Sequence, residues 1–301
     1  MKAPVTLFGL FLLLLLLIPC SPAQAAMFMS PEALNDRMNN LDDIVIIDTR
    51  STFAFFKGHI KGAIHLDSGC GGGLCRRQHE LPCVLKDDAE IVALLQEKGI
   101  CPQKQVILYG DRDNWGAEGR LYWLLEKLGF QQLAVLDGGF AGWQRLKLPS
   151  ALLPSGNLPS CEGTFPVEGR IPRLSAAELS ARIKQGQALV IDTRTMEEFQ
   201  GAVLYGEKHG GHLPGSYHLH WLDLVTDDYR LKARPQLFQL LAGQGIPMPE
   251  EMGDRTIVTL CTGGVRSGFL YLVLKYLGYP RVENYDNGFW EWALEDLPVE
   301  K

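Results

Sequence analysis

The chain repeats itself once, with a period of about 150 residues, and this repetition limits its architecture more than any other feature. Ile44–Arg50 reads IVIIDTR and Ala188–Arg194 reads ALVIDTR, each an apolar, β-branched run of strand length that ends in Asp-Thr-Arg. Each is followed by an aromatic-containing helix start and a turn of one pattern, His59-Ile60-Lys61-Gly62-Ala63 in the first half and His212-Leu213-Pro214-Gly215-Ser216 in the second. Gln105–Tyr109 and Thr256–Leu260 then read as strands that pass through Gly-containing loops into helices predicted over Leu121–Leu128 and Phe269–Leu277, with Gly129 and Gly278 as their stops. Leu136–Phe140 and Tyr285–Phe289 close a last strand into a turn, and Trp143 and Trp292 follow each Phe at the same spacing. Strands alternating with helices predict an α/β fold: in each half, a parallel sheet with helices on both faces. A long period present only twice is a duplicated domain and not a solenoid.

The joint between the halves is also legible. From Pro149 to Pro172 the chain holds five prolines and three glycines with little periodicity, which reads as a linker. The expected division is a leader over 1–25, a first domain over 27–150, a linker over 151–170 and a second domain over 171–301. The leader is read from Lys2, the apolar run Leu7–Ile18, and Pro19, Ser21, Pro22 and the small-residue stretch Ala23-Gln24-Ala25-Ala26, a secretory pattern. Its apolar run is too short to span a bilayer core of roughly 30 Å, so the expected mature form is soluble and exported to the periplasm, with no membrane partner. A lipid anchor on Cys20 is disfavoured by Pro19, where such a site wants a small residue. Lys and Arg number 29 against 35 Asp and Glu, so no basic stripe is offered to nucleic acid and small molecules or proteins are the expected partners. Of the seven cysteines, Cys20 leaves with the leader. If Cys261 stays free, the other five allow at most two disulfides and one leftover thiol.

In open parallel sheets, the loops at the carboxyl ends of the strands build the site. The second half places Cys261-Thr262-Gly263-Gly264-Val265-Arg266-Ser267-Gly268 there, between a strand and a helix. Two glycines permit a tight loop whose amides turn inward, and the following helix aims the positive end of its dipole at the same spot. That cradle predicts a thiolate nucleophile at Cys261, with Thr262, Gly263, Gly264 and Val265 as the amide cradle and Arg266 as an anion-holding fork. Taken singly, Cys261 would be a small buried hydrophobe at a strand end. The conjunction of strand end, paired glycines, arginine, following helix and an unpaired thiol favours chemistry.

With these residues in view, the two halves resemble a tandem-domain rhodanese, the thiosulfate and 3-mercaptopyruvate sulfurtransferase family. The resemblance rests on Val190–Arg194, the turn His212–Gly215, the loop Cys261–Arg266 and the segment Asp286–Trp292. It implies a persulfide on Cys261, a cleft between the domains and an inactive first domain, with no cofactor and no metal. The first half's corresponding loop, Gly110–Arg120, holds no cysteine: counted from the strand Cys261 matches Gly110, and counted back from the helix it matches Arg112. Asp111 and Asp113 there would repel an anionic donor. The better-known tandem members usually carry threonine where Arg266 stands, so the loop is similar to that of single-domain thiosulfate enzymes and favours thiosulfate over mercaptopyruvate.

The implied cycle is two-step. Cys261 takes the outer sulfur of the donor, then yields it to cyanide, a thiol or a protein acceptor, while Arg266 and Arg194 hold the donor's anionic tail. A structural ion pair is the competing reading of Arg194. Asp192, Glu198 and His212 read as supports for the loop. A cysteine phosphatase would place five residues between Cys and Arg, and here there are four. A noncatalytic sulfur carrier is the alternative from another class. Cys70, Cys75, His79 and Cys83 lack the usual paired-cysteine spacing of a zinc site, so a flexible loop is expected in its place, with a Cys70–Cys75 disulfide as one way to close it and the pairing left open. Gly201–Gly211, with Tyr205, Lys208 and His209, reads as a solvated insertion on the rim of the cleft. Trp290 and Trp292 read as core and interface aromatics.

Overall fold

The computed structural model describes residues 27–39, 41, 43–70, 72–154, 161, 165 and 173–301. The expected leader, with Cys20, and most of the expected linker lie outside the described residues. Among the described residues no helix is long and apolar enough to cross a membrane.

Each half is built on one all-parallel sheet. The first runs Phe28–Met29, Leu133–Leu136, Gln105–Tyr109, Ile44–Asp48, Ile64–His65 across its width, and the second runs Tyr217–His218, Ala188–Asp192, Thr256–Leu260, Val282–Asn284. Both sheets bury their central strands, as their continuous apolar runs require. The central pairs share one register: Asp48 lies opposite Tyr109, and Asp192 lies opposite Leu260. The next residue along the second strand is Gly110 in the first half and Cys261 in the second, so the count made from the strand gives the true equivalence.

One face of each sheet carries a small core of its own. Ile46, Ile107, Phe140 and Trp143 anchor the first, and Val190, Val258, Phe289 and Trp292 the second. The indole Nε1 of Trp143 donates to the Pro149 carbonyl, and that of Trp292 to the Pro298 carbonyl, so the duplication extends to single hydrogen bonds. The other faces merge into a single core that crosses the domain boundary. Its centre is the crossing of the helices Ala117–Lys127 and Val265–Leu277. Both begin earlier than the apolar periodicity indicates, because their first turns are polar yet buried: Glu118 and Arg120 bond to the other domain, and Arg266 and Ser267 bond to Glu198 and Asn284 of their own.

Glycine makes that crossing possible. A Cβ on Gly119 would stand 2.3 Å from the Cα of Phe269, and one on Gly268 would stand 2.5 Å from the Cα of Arg120. With the backbones in contact, Arg120 reaches across to Asp286 through two bonds of 2.8 and 2.9 Å. Tyr229 of the second half donates to Glu118 of the first.

The structure corrects the Cys70–Cys75 pairing. Cys70 is bonded to Cys83, and Cys101 to Cys161, leaving Cys75 and Cys261 as free thiols among the described residues. Two bridges and one leftover thiol match the count, but Cys75 heads the strand Cys75–Gln78, which hairpins with Leu81–Leu85 and turns its sulfur inward. Cys83, on the returning strand, thereby meets Cys70.

Candidate active site

The carboxyl end of the strand Thr256–Leu260 delivers Cys261 to the mouth of the Val265–Leu277 helix. The turn between them is held from behind: Phe289 N–H donates to the Cys261 carbonyl at 2.8 Å, Trp290 N–H to the Thr262 carbonyl at 3.1 Å, and the Asn284 amide to the Gly264 carbonyl at 3.1 Å. With these carbonyls drawn to one side, the first-turn amides, which intrahelical bonding leaves free, remain for the loop's concave side. Gly264 sits at φ +79°, and a Cβ there would lie 2.3 Å from the Asp286 carbonyl oxygen. Gly264 is therefore required by closeness as well as by conformation.

Cys261 is only 1% exposed, yet it is neither bridged nor sealed in the core. It lies at the floor of a cavity of about 300 Å³ lined by Thr262, Gly263, Val265, Arg266, Tyr205 and Trp290 from the second half, and by Asp67, Gly69, Cys70, Asn114 and Trp115 from the first. The predicted cleft between the domains is thus present, and the first half supplies nearly half of its wall.

The first half's own version of this place is filled. Phe140 N–H donates to the Gly110 carbonyl as Phe289 does to that of Cys261. A Cβ on Gly110 would fall 2.2 Å from the Glu118 carboxylate, which takes the space a sulfur would need.

Comparison with known proteins accounts for the duplication. Residues 30–146 and 175–295 each match the rhodanese-like domain. The chain belongs to the rhodanese family. Thiosulfate sulfurtransferase of Pseudomonas aeruginosa is 30% identical over 270 residues, covering 86% of this chain and 91% of its own. The 3-mercaptopyruvate sulfurtransferase of Escherichia coli is 30% identical over 250 residues, covering 82% and 84%. Among solved structures, the anaerobic ergothioneine biosynthesis enzyme from Chlorobium limicola superposes with a TM-score of 0.78 at 20% identity, over 92% of this chain and 71% of that one, a likeness of fold. The chain is a sulfurtransferase of two rhodanese domains.

Within this rhodanese pair, Arg194 is not where a donor could meet it. Its side chain is fully buried, donates to Asp192 at 2.7 Å and to the Gly211 carbonyl at 2.6 Å, and stacks on Phe289. Arg50 makes the same bonds to Asp48 and the Gly58 carbonyl and stacks on Phe140, in the half that has no cysteine. A contact set repeated where there is no nucleophile belongs to the fold. The Asp-Thr-Arg motif is a staple behind the loop, and Arg194 is removed from the donor-binding residues. One buried nitrogen, Arg194 Nη1, has no partner among the described residues, whereas Arg50 Nη1 donates to Asp111.

Arg266 is in the cavity wall, but its charge is already matched. Its two terminal nitrogens donate to the Glu198 carboxylate at 2.7 and 2.8 Å, and Nη2 also donates to the Thr262 hydroxyl, which in turn donates to Glu198. Burial pushes the Glu198 carboxyl up, yet the bonds from Arg266 outweigh it and bring it to about 2. The guanidinium lies against the rings of Trp115 and Tyr205. Three of its five N–H groups are committed, so it presents an aromatic-faced edge and not a free fork.

Other site residues were not read from the sequence, or were read otherwise. Trp290 is a cavity wall, its ring covering Gly263 so closely that a Cβ there would lie 2.2 Å away, while Trp292 is core as expected. Tyr205 accepts the Trp290 indole on its carbonyl and turns its ring to Trp115, so the Gly201–Gly211 insertion forms part of the wall. Asp111 points to Arg50 and the Ala141 amide, while Asn114 and Trp115 from the same loop reach the cavity. The two extra residues in that loop were the only hint of Trp115. Glu198 and His212 support the loop region as expected, the latter stacked on Phe199 and bonded to its carbonyl.

Proposed function

We propose that Cys261 takes the outer sulfur of a small donor, thiosulfate in preference to 3-mercaptopyruvate, and passes it on to a thiol, cyanide or a protein acceptor. The observation that carries this reading is a free cysteine on the floor of an interdomain cavity, at the amino end of a thirteen-residue helix. The thiolate attacks the sulfane sulfur, a new S–S bond forms on Cys261, and sulfite leaves with the electron pair of the broken bond. The charge on the persulfide is met by the amides of Gly263, Gly264 and Val265 and by the positive end of the helix. Thr262 and the paired Arg266 hold the rim of the loop and offer the remaining guanidinium N–H groups to the donor's oxygens. The first domain, with Gly110 and Glu118 in place of a nucleophile, acts as a wall and not as a second centre. Export to the periplasm remains part of this reading, on the strength of the leader-like start.

The test is intact-mass measurement after incubation with thiosulfate. A gain of about 32 Da, one sulfur, is expected and is expected to vanish in Cys261→Ser. A gain that persists in Cys261→Ser, or that never occurs in the native chain, refutes the proposal.

A further inference from the structure

Cys261 is not the only sulfur at the cavity. Cys70 lines the same space from the first domain, is itself exposed, and is bonded to the buried Cys83. No rearrangement is needed to bring Cys70 to the wall; it is there already. The second bridge, Cys101–Cys161, does not line this cavity.

We propose that Cys70 and Cys83, when reduced, form an internal dithiol acceptor that takes the sulfane sulfur from Cys261 and expels it as hydrosulfide. The inference rests on the persulfide reading above and adds the fate of the transferred sulfur. A persulfide carries its outer sulfur about 2 Å beyond the cysteine, into the space that Cys70 faces. The Cys70 thiolate attacks that outer sulfur, the S–S bond to Cys261 breaks, and Cys261 leaves as thiolate. Cys83 then attacks the inner sulfur of the Cys70 persulfide, the Cys70–Cys83 bond re-forms, and hydrosulfide departs. Two thiols are oxidised to one disulfide and one sulfane sulfur is reduced by two electrons, so the electrons balance. A further round needs an external dithiol, which can reach the bridge at the exposed Cys70.

The surroundings suit each partner to its step. Arg120 Nη1 lies 3.5 Å from the Cys83 sulfur, so the thiolate that must attack forms beside a cation. Burial draws Arg120 down, but Asp286, Cys75 and Cys261 together more than offset it, and the guanidinium stays charged. Cys75 also touches Arg120 Nη1, at 3.3 Å, but it is a free thiol that does not line the cavity, whereas Cys83 is already within bonding reach of Cys70. Glycines flank Cys70 at positions 69, 72 and 73, which suits a loop that must open and close its bridge.

The experiment compares the full chain with its bridges intact and after reduction by dithiothreitol and anaerobic desalting, each mixed with thiosulfate. The oxidised protein is expected to keep one sulfur on Cys261 and release no hydrosulfide. The reduced protein is expected to release about one hydrosulfide per chain and to regain the Cys70–Cys83 bridge, located by peptide mapping. In reduced Cys83→Ser the sulfur should be found on the Cys70 peptide without release, and in reduced Cys70→Ser it should stay on Cys261. Reduced native protein that keeps its sulfur on Cys261, or Cys70→Ser that releases as much hydrosulfide as the native chain, overturns the proposal. The oxidised-against-reduced arms use the unmutated chain, so they do not depend on how the variants fold. If neither form gains sulfur, the persulfide reading itself has failed, an outcome distinct from sulfur held but not passed on.

Discussion

Glu198 and Arg266 form a closed, buried pair beside Cys261, with Thr262 bonded to both. Removing one charge leaves the other buried without a partner, which costs about 3–5 kcal/mol. Glu198→Gln is therefore expected to lower stability by that order in urea unfolding at neutral pH. The sign with pH follows from the depressed carboxyl: its contribution is complete above the ordinary value of 4.5 and is lost as pH falls towards about 2. The gap between native and Glu198→Gln should be widest near neutrality and shrink through that window, and a gap independent of pH would count against the pairing. Arg266 itself was visible as the end of a Cys-to-Arg loop. Glu198 was legible as a support for the loop but its pairing with Arg266 was not, because 68 residues separate the two and only the packing of one loop on another joins them.

At the scale of elements, the strands were legible because buried parallel strands are continuous apolar runs, and both central pairs fall where the sequence placed them. The helix starts were not, since periodicity begins only after a first turn that is polar and yet buried in each helix. The crossing of these two helices depends on Gly119 and Gly268, where any Cβ would strike backbone and not a yielding side chain. Gly119→Ala and Gly268→Ala are each expected to cost about 1–3 kcal/mol, read as a lower thermal midpoint. Sulfur loading from thiosulfate should fall as well, because Asn114 and Trp115 ride with the first helix and wall the cavity. Unchanged midpoints in both variants would mean that the helices sit further apart than described.

Across the whole molecule, the two domains are joined by one continuous core and a few buried polar contacts, among them Tyr229 to Glu118. Burial raises the Glu118 carboxyl from 4.5 to about 7, and the bond from Tyr229 only partly opposes this. A raised carboxyl means that the folded chain holds a proton the unfolded chain has released, so stability falls as pH rises from 4.5 to 7 and is level beyond. The contribution is about 3 kcal/mol over that window. Glu118→Gln, which keeps a hydrogen-bonding group at the site, should flatten the pH profile of unfolding, and parallel profiles for the two proteins would discount the effect.

Local signals determined the duplicated α/β design, the strand ends and the cysteine loop, since each of these is written in a few consecutive residues. Only the tertiary structure decided that Arg194 is a staple, that Arg266 is paired, that Cys70 bonds to Cys83 and that Trp115 and Trp290 wall the cavity. These facts depend on residues far apart in the chain being brought within a few ångströms, and no periodicity or spacing encodes that distance.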